Sequence, residues 1–249
     1  MAEPFTVVDY GGSVFAWADE WPGLVTSAPT LAELDSTIPL ALAEYGDWLR
    51  RHGEDGPGRT WRISERIGSA DGPTQGDPCY LSDLRPLGER EFERFLRHST
   101  HSQLDLQTVA DVPDALLDWT PEAAEPEQAD PWAPGVRTIR EVLTHALQLE
   151  VFYREGLRDG AAAGIFAPVG SAAEEHAATR AAFERAASER IDREWHPLRV
   201  LRPGGTPEPA GEWTVRKALR RTISHNRAHC AEILQRKTWI LLGTPKGAS

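Results

Sequence analysis

Lysine is almost missing from this chain of 249 residues: of its 27 basic residues only Lys217, Lys237 and Lys246 are lysine. With the many Ala, Gly and Pro residues, that bias points to a GC-rich bacterial genome. Cysteine is scarce too. Cys79 and Cys230 lie far apart and form no CxxC pair, which suits reduced thiols in a reducing compartment and not a disulfide framework. No apolar run approaches the roughly 18 residues a membrane helix needs. No basic region followed by an apolar block opens the chain, so no secretory signal is evident and a cytoplasmic location is expected. Excess positive charge is also lacking. A net charge of -11 repels phosphate backbones and argues against nucleic acid as a partner. No Gly-rich phosphate loop, nucleophile elbow or Rossmann fingerprint occurs, so nucleotide cofactors are not indicated.

What is present is enough apolar side chain, 40% of residues, to bury a core in one large or two modest domains. Two are expected: residues 1–70, a linker over 71–86, and residues 87–249. In the first, Phe5 to Tyr10 and Ser13 to Ala18 read as strands joined at Gly11-Gly12. Thr30 and Glu33 form a capping-box pattern ahead of Leu31, Leu34, Ile38, Leu42, Tyr45 and Leu49, a helical period containing Pro39. Thr60 to Gly68 reads as a third strand. The Gly, Pro and Asp content of "SADGPTQGDPCYLSDLRP" marks the linker. The stretch "DEWPGLVTSAPTLAEL" resembles the HicB-like small αβ domains, in which a strand carrying a similar motif precedes a capped helix. The plainer reading of this segment is a packing or oligomerisation module; the resemblance implies, as the alternative, an antitoxin-like binder of a partner ribonuclease.

From residue 87 onward the pattern is helical, with four long helices expected over 87–110, 138–157, 171–190 and 214–237 and a short helical turn in "VPDALLDWTPEAA". Thr138 with Glu141 and Ser171 with Glu174 read as capping boxes, and Thr214 as the N-cap of the last helix. The connections, including "WHPLRVLRPGGTPEPAGEW", are rich in Pro and Gly. The expected class is α+β: a small αβ domain followed by an all-α four-helix bundle.

In "TISHNRAHCAEIL", His225 and His229 stand four residues apart and so share one helix face. At about 100° per residue they fall at the edge of the apolar arc through Val215, Ala218, Leu219, Ile223 and Ile233. His145, on the second long helix, lies at the margin of an equivalent stripe. Three neutral imidazoles from two helices can hold a divalent ion such as zinc with a position left for water or substrate. They can also be hydrogen-bonded core residues. Glu150 falls within the apolar stripe, where a carboxylate must be paired, hydrogen-bonded to a ligand histidine or working as an acid or base.

The stretches "LLDWTPEAA", "PWAPGVRTIREVLTHALQLEVFYREG" and "EWTVRKALRRTISHNRAHCAEILQ", in that order, resemble the DinB-like superfamily, four-helix bundles related to mycothiol- and bacillithiol-dependent enzymes. The resemblance implies that His145, His225 and His229 ligate a divalent metal, zinc or nickel, and that a low-molecular-weight thiol serves as co-substrate. It implies thiol transfer or isomerisation on a small molecule, with metal-assisted hydrolysis close behind. Glu150 is then the candidate catalytic residue. A homodimer and a non-catalytic regulatory protein complete the expectations.

Other candidates receive plainer readings. His98 and His101 lie off the Phe92, Phe95 and Leu96 face and read as solvent-facing. His52, His176 and His196 read as helix-end, surface or loop residues. Cys230 points about 100° away from His229 and reads as a core filler. Arg216, Lys217, Arg220, Arg221 and Arg227 read as a solvated stripe, or else as a receptor for the carboxylates of a small thiol or acidic substrate.

Overall fold

The computed structural model describes residues 1–68, 78–119, 138–159, 177–178, 180–185, 196–200 and 208–242. Four strands, β1 (Glu3–Asp9), β2 (Val14–Ala18), β3 (Val25–Ala28) and β4 (Trp61–Ile67), form a sheet in the order β3-β2-β1-β4. β1 and β2 are an antiparallel pair. Their turn uses Gly11 at φ 80, with the Gly11 N–H donating to the Asp9 carboxylate at 2.8 Å. β3, which was not expected, pairs antiparallel with β2 after the Trp21-Pro22-Gly23 turn. β4 runs parallel to β1, which requires a crossover, and α1 (Leu34–Arg51) supplies it.

The expected capping box of α1 does not form. Thr30 to Glu33 make a tight turn instead, and the helix begins at Leu34 with no side-chain cap. Its buried residues Leu34, Ile38, Leu42, Tyr45 and Leu49 pack on the face of the sheet that carries Phe5, Val7, Ala16 and Ala18. Successive strand side chains alternate faces, so Val8 and Trp17 point the other way, where Tyr80 covers them.

Tyr80 comes from the stretch expected to be a linker. Its described part, residues 78–86, holds a single 3-10 turn (Ser82–Leu84) with Tyr80 and Asp83 fully buried. Then follow α2 (Glu89–Ala110), the short α3 (Asp114–Leu117), α4 (Ile139–Asp159) and α5 (Val215–Leu242). Leu106 of α2, Ile139, Val142 and Ala146 of α4, and Cys230 and Ile233 of α5 form their common core. Residues 180–185 are helical and bury Ala182 and Phe183. Most of the helix expected over 171–190, including its capping box at Ser171 and Glu174, lies outside the described residues. The Pro-rich connection before α5 contains an antiparallel pair, β5 (His196–Val200) and β6 (Glu208–Trp213). The chain is thus mixed α+β, with a small sheet first and helices after it.

Candidate metal centre

The register of α4 and α5 is fixed at their N-termini. Thr138 and Glu141 form the reciprocal capping box: the Thr138 N–H donates to Glu141 Oε2 at 2.7 Å and the Glu141 N–H to Thr138 Oγ1 at 3.1 Å. Thr214 Oγ1 accepts from the Lys217 N–H at 3.1 Å and donates to the Asp83 carbonyl at 2.9 Å. These caps set the rotation at which His145 leaves α4 and His225 and His229 leave α5.

The three rings converge. His225 Nε2 lies 3.2 Å from His145 Nε2 and 3.0 Å from His229 Nε2. One nitrogen from each of the three lies within 4.8 Å of the others. His229 is buried and the other two are half-buried, so the group remains reachable.

The donor set fits a divalent cation. A tetrahedral ion with nitrogen ligands at about 2.05 Å holds adjacent nitrogens roughly 3.3 Å apart, close to the spacing found. The protonation chemistry agrees. His229 Nδ1 lies 2.9 Å from Glu232 Oε2, and since an ionised carboxylate can only accept, Nδ1 is the donor. In the neutral ring, Nε2 then carries the lone pair turned towards His225, the atom a cation would take. Glu232 also accepts from Arg236 at 3.4 Å. Sequence reasoning missed Glu232, although its i+3 spacing from His229 places it on the same face.

Glu150 is 4% exposed. Its Oε1 accepts from Gln103 Nε2 at 2.7 Å and from Asn226 Nδ2 at 2.6 Å, so it ties α4 to α2 and α5. Asn226 directly follows His225. Neither amide was singled out in the sequence, because an isolated Gln or Asn on a helix carries no pattern.

The basic stripe of α5 is neither solvated nor a free carboxylate receptor. Arg216, Lys217 and Arg220 are almost fully buried. Arg220 pairs with Asp83 through Nε at 3.0 Å and Nη2 at 2.7 Å, with its guanidinium 3.9 Å from the Tyr80 ring centroid. Arg227 donates to the Gly23 carbonyl at 2.5 Å and lies over the Tyr45 and Trp48 rings. The N-terminal sheet and its helix cover the face of α5 that looked like surface.

His98 and His101 are likewise not solvent-facing. His98 is fully buried, with Nδ1 3.2 Å from the Tyr45 hydroxyl and its ring stacked on Trp21. Burial pushes its pKa down to about 4. His101 Nε2 lies 2.6 Å from Glu54 Oε1, and His52 Nε2 lies 3.1 Å from Asp105 Oδ2. The end of α1 covers this side of α2. Cys230 does fill the core, and burial pushes its thiol up to about 12. His196 is in β5, and His176 lies outside the described residues.

Residues 97–233 match the family model described as the DinB superfamily, a span that begins in α2, ends in α5 and includes all three converging histidines. No curated protein and no solved structure matches the chain. Over more than half its length, this chain belongs to the DinB superfamily.

Proposed function

We propose that the protein is a divalent-metal-dependent enzyme acting on a small molecule, with His145, His225 and His229 as the metal ligands. The observation that carries this reading is the convergence of three Nε2 atoms from two helices, with Glu232 fixing the tautomer of one. Zinc or nickel suits an all-imidazole set. When bound with a coordination position open, such an ion supplies Lewis-acid chemistry that makes a thiol or water available as the deprotonated nucleophile near neutral pH. The reaction class is thiol transfer or isomerisation using a low-molecular-weight thiol, with hydrolysis as the second choice.

The chain's own residues divide the work around that centre. Glu232 orients His229. Glu150, held by two amide donors, keeps a carboxylate in a buried place beside the metal helix and is the candidate to hold or pass a proton. Residues 1–70 serve as a HicB-like packing module. The order of two strands, a Trp-Pro-Gly turn, a third strand and a helix supports that reading, and so does the contact of this part with α5. A cytoplasmic enzyme free of nucleic acid suits the charge balance, and no helix among the described residues is long and apolar enough to cross a membrane.

Elemental analysis of the purified protein tests the ligand set. About one divalent ion per chain is expected, lost in the His225→Ala, His229→Ala double variant while the fold remains. A double variant that keeps its metal overturns the assignment. Thiol consumption with a panel of electrophiles, run against His145→Ala, tests the chemistry; inactivity of the metal-loaded protein towards both electrophiles and esters favours a regulatory protein.

A further inference from the structure

The lining of one cleft contrasts with the acidity of the whole chain. An open cleft of about 540 Å3 between the β2–β3 turn, the segment before α2 and the N-terminal half of α2 is lined by Arg85, Arg90, Arg94, Arg97 and Arg216, with only Glu20 and Glu91 opposing them. Three of the arginines come from one face of α2, where residues 90, 94 and 97 are neighbours on successive turns. Arg216 enters from the first turn of α5, and Arg85 from the segment before α2.

The internal pairing leaves positive charge over. Arg216 takes Glu91 in a two-point contact at 2.5 and 2.7 Å, and Arg85 takes Glu20 at 3.1 Å. Arg97 is paired outside the cleft with Glu54 at 3.3 Å. Among the described residues, Arg90 and Arg94 have no carboxylate within ion-pair distance. Arg90 is exposed. Arg94 donates one Nη2 bond to the Glu20 carbonyl at 2.9 Å and rests against the Trp21 ring, and its buried Nε has no hydrogen-bond partner. The Glu91 carboxyl reports the local field: burial would raise its pKa, but Arg216, then Arg94 and Arg85, hold it below the usual carboxylate range. α2 also begins at Gly88 without a side-chain cap, so its first N–H groups add to the positive end of the cleft.

We infer that this cleft is a binding site for a small polyanion carrying two or more phosphate or carboxylate groups, held chiefly by Arg90 and Arg94. Its size suits a small metabolite, and guanidinium groups recognise such oxyanions in a planar, two-point fashion. The site is separate from the imidazoles. Arg216 precedes His225 by nine residues on α5, or about 13 Å along a helix axis.

Calorimetric titration of the full chain with inorganic pyrophosphate and, separately, with citrate tests the site and separates phosphate from carboxylate as the preferred group. One saturable site per chain is expected for at least one probe, weakening as sodium chloride is added. Arg90→Ala and Arg94→Gln should each weaken it at least about tenfold, the usual loss when a charge-assisted bond is removed. Arg90 is exposed, so its replacement leaves folding intact, and melting curves of both variants verify this. Both probes also chelate metals, so the His145→Ala protein is titrated in parallel and should bind equally well. Absence of saturable binding overturns the inference. So does binding that survives the Arg90→Ala, Arg94→Gln double variant, or that disappears in His145→Ala instead.

Discussion

Gly23, in the turn between β2 and β3, touches Ile223 of α5 so closely that a Cβ at residue 23 would overlap the Ile223 Cγ2 methyl group. Gly23 also has φ +85, where a side chain is strained whatever the space. Ile223 belongs to the apolar core of the N-terminal sheet, and it stands two residues before His225. Gly23→Ala should therefore destabilise the fold by roughly 2–4 kcal/mol through overpacking and backbone strain together. Urea titration measures that loss. Because the pressure falls on the turn of α5 next to His225, weaker metal retention should accompany it; an unchanged midpoint would show that the sheet and α5 are not in contact there.

Glu232→Gln keeps the shape beside His229 and removes the charged acceptor of its Nδ1 proton. Metal affinity should fall about 10- to 100-fold, the range for residues that orient a ligating imidazole. A competition assay with a chromophoric chelator reads this directly. Folding stability should change little, since Glu232 is half-buried and Arg236 retains other contacts.

Asp83 and Arg220 form an ion pair with both side chains almost completely buried. Removing one partner leaves the other charged in a dry place. Asp83→Ala should cost about 3–5 kcal/mol, whereas a coupled replacement of both by apolar residues should cost far less. Chemical denaturation of the single and double variants gives the comparison, and equal losses in the two would contradict it.

His98 gives the molecule a pH-dependent stability. Its pKa is about 4 when folded, because of burial, against an ordinary 6.5 in the unfolded chain. Between those values the unfolded chain binds a proton that the native chain refuses. The contribution is therefore complete above 6.5 and fades as pH falls towards 4, by about 3 kcal/mol in all. Glu54, Arg94, Arg97 and His101 face or surround the ring; Glu54 is the only one that opposes the shift. The Glu54 carboxyl titrates below its ordinary 4.5, so the His98 effect is best read between about pH 5 and 7. His98→Asn should flatten the stability profile across that window.

The sequence made some of this legible because its signals were local. The Thr138–Glu141 cap, the apolar spacing of α1 and the one-turn spacing of His225 and His229 all depend on residues within a few positions of each other. Arg216 and Arg220 were misread because arginine on a helix ordinarily means solvent, and their partners Glu91 and Asp83 lie more than a hundred positions away. His98 was misread for the same reason: the end of α1 buries a face of α2 that looks polar in isolation. β5 and β6 were hidden by proline and glycine, which usually mark loops. Glu150 was visible as an anomaly in an apolar stripe, but its amide partners became evident only in three dimensions.

The socket that receives Tyr80 and Asp83 makes the two parts of the chain depend on each other. A gene fragment ending near residue 70 would encode a sheet with one face bare, and the remaining fragment would carry a counter-ion for Arg220 but no wall of Trp17 and Val8 for Tyr80 to close against. Neither half keeps its packed surface without the other, so cutting the chain between them should expose apolar side chains on both pieces.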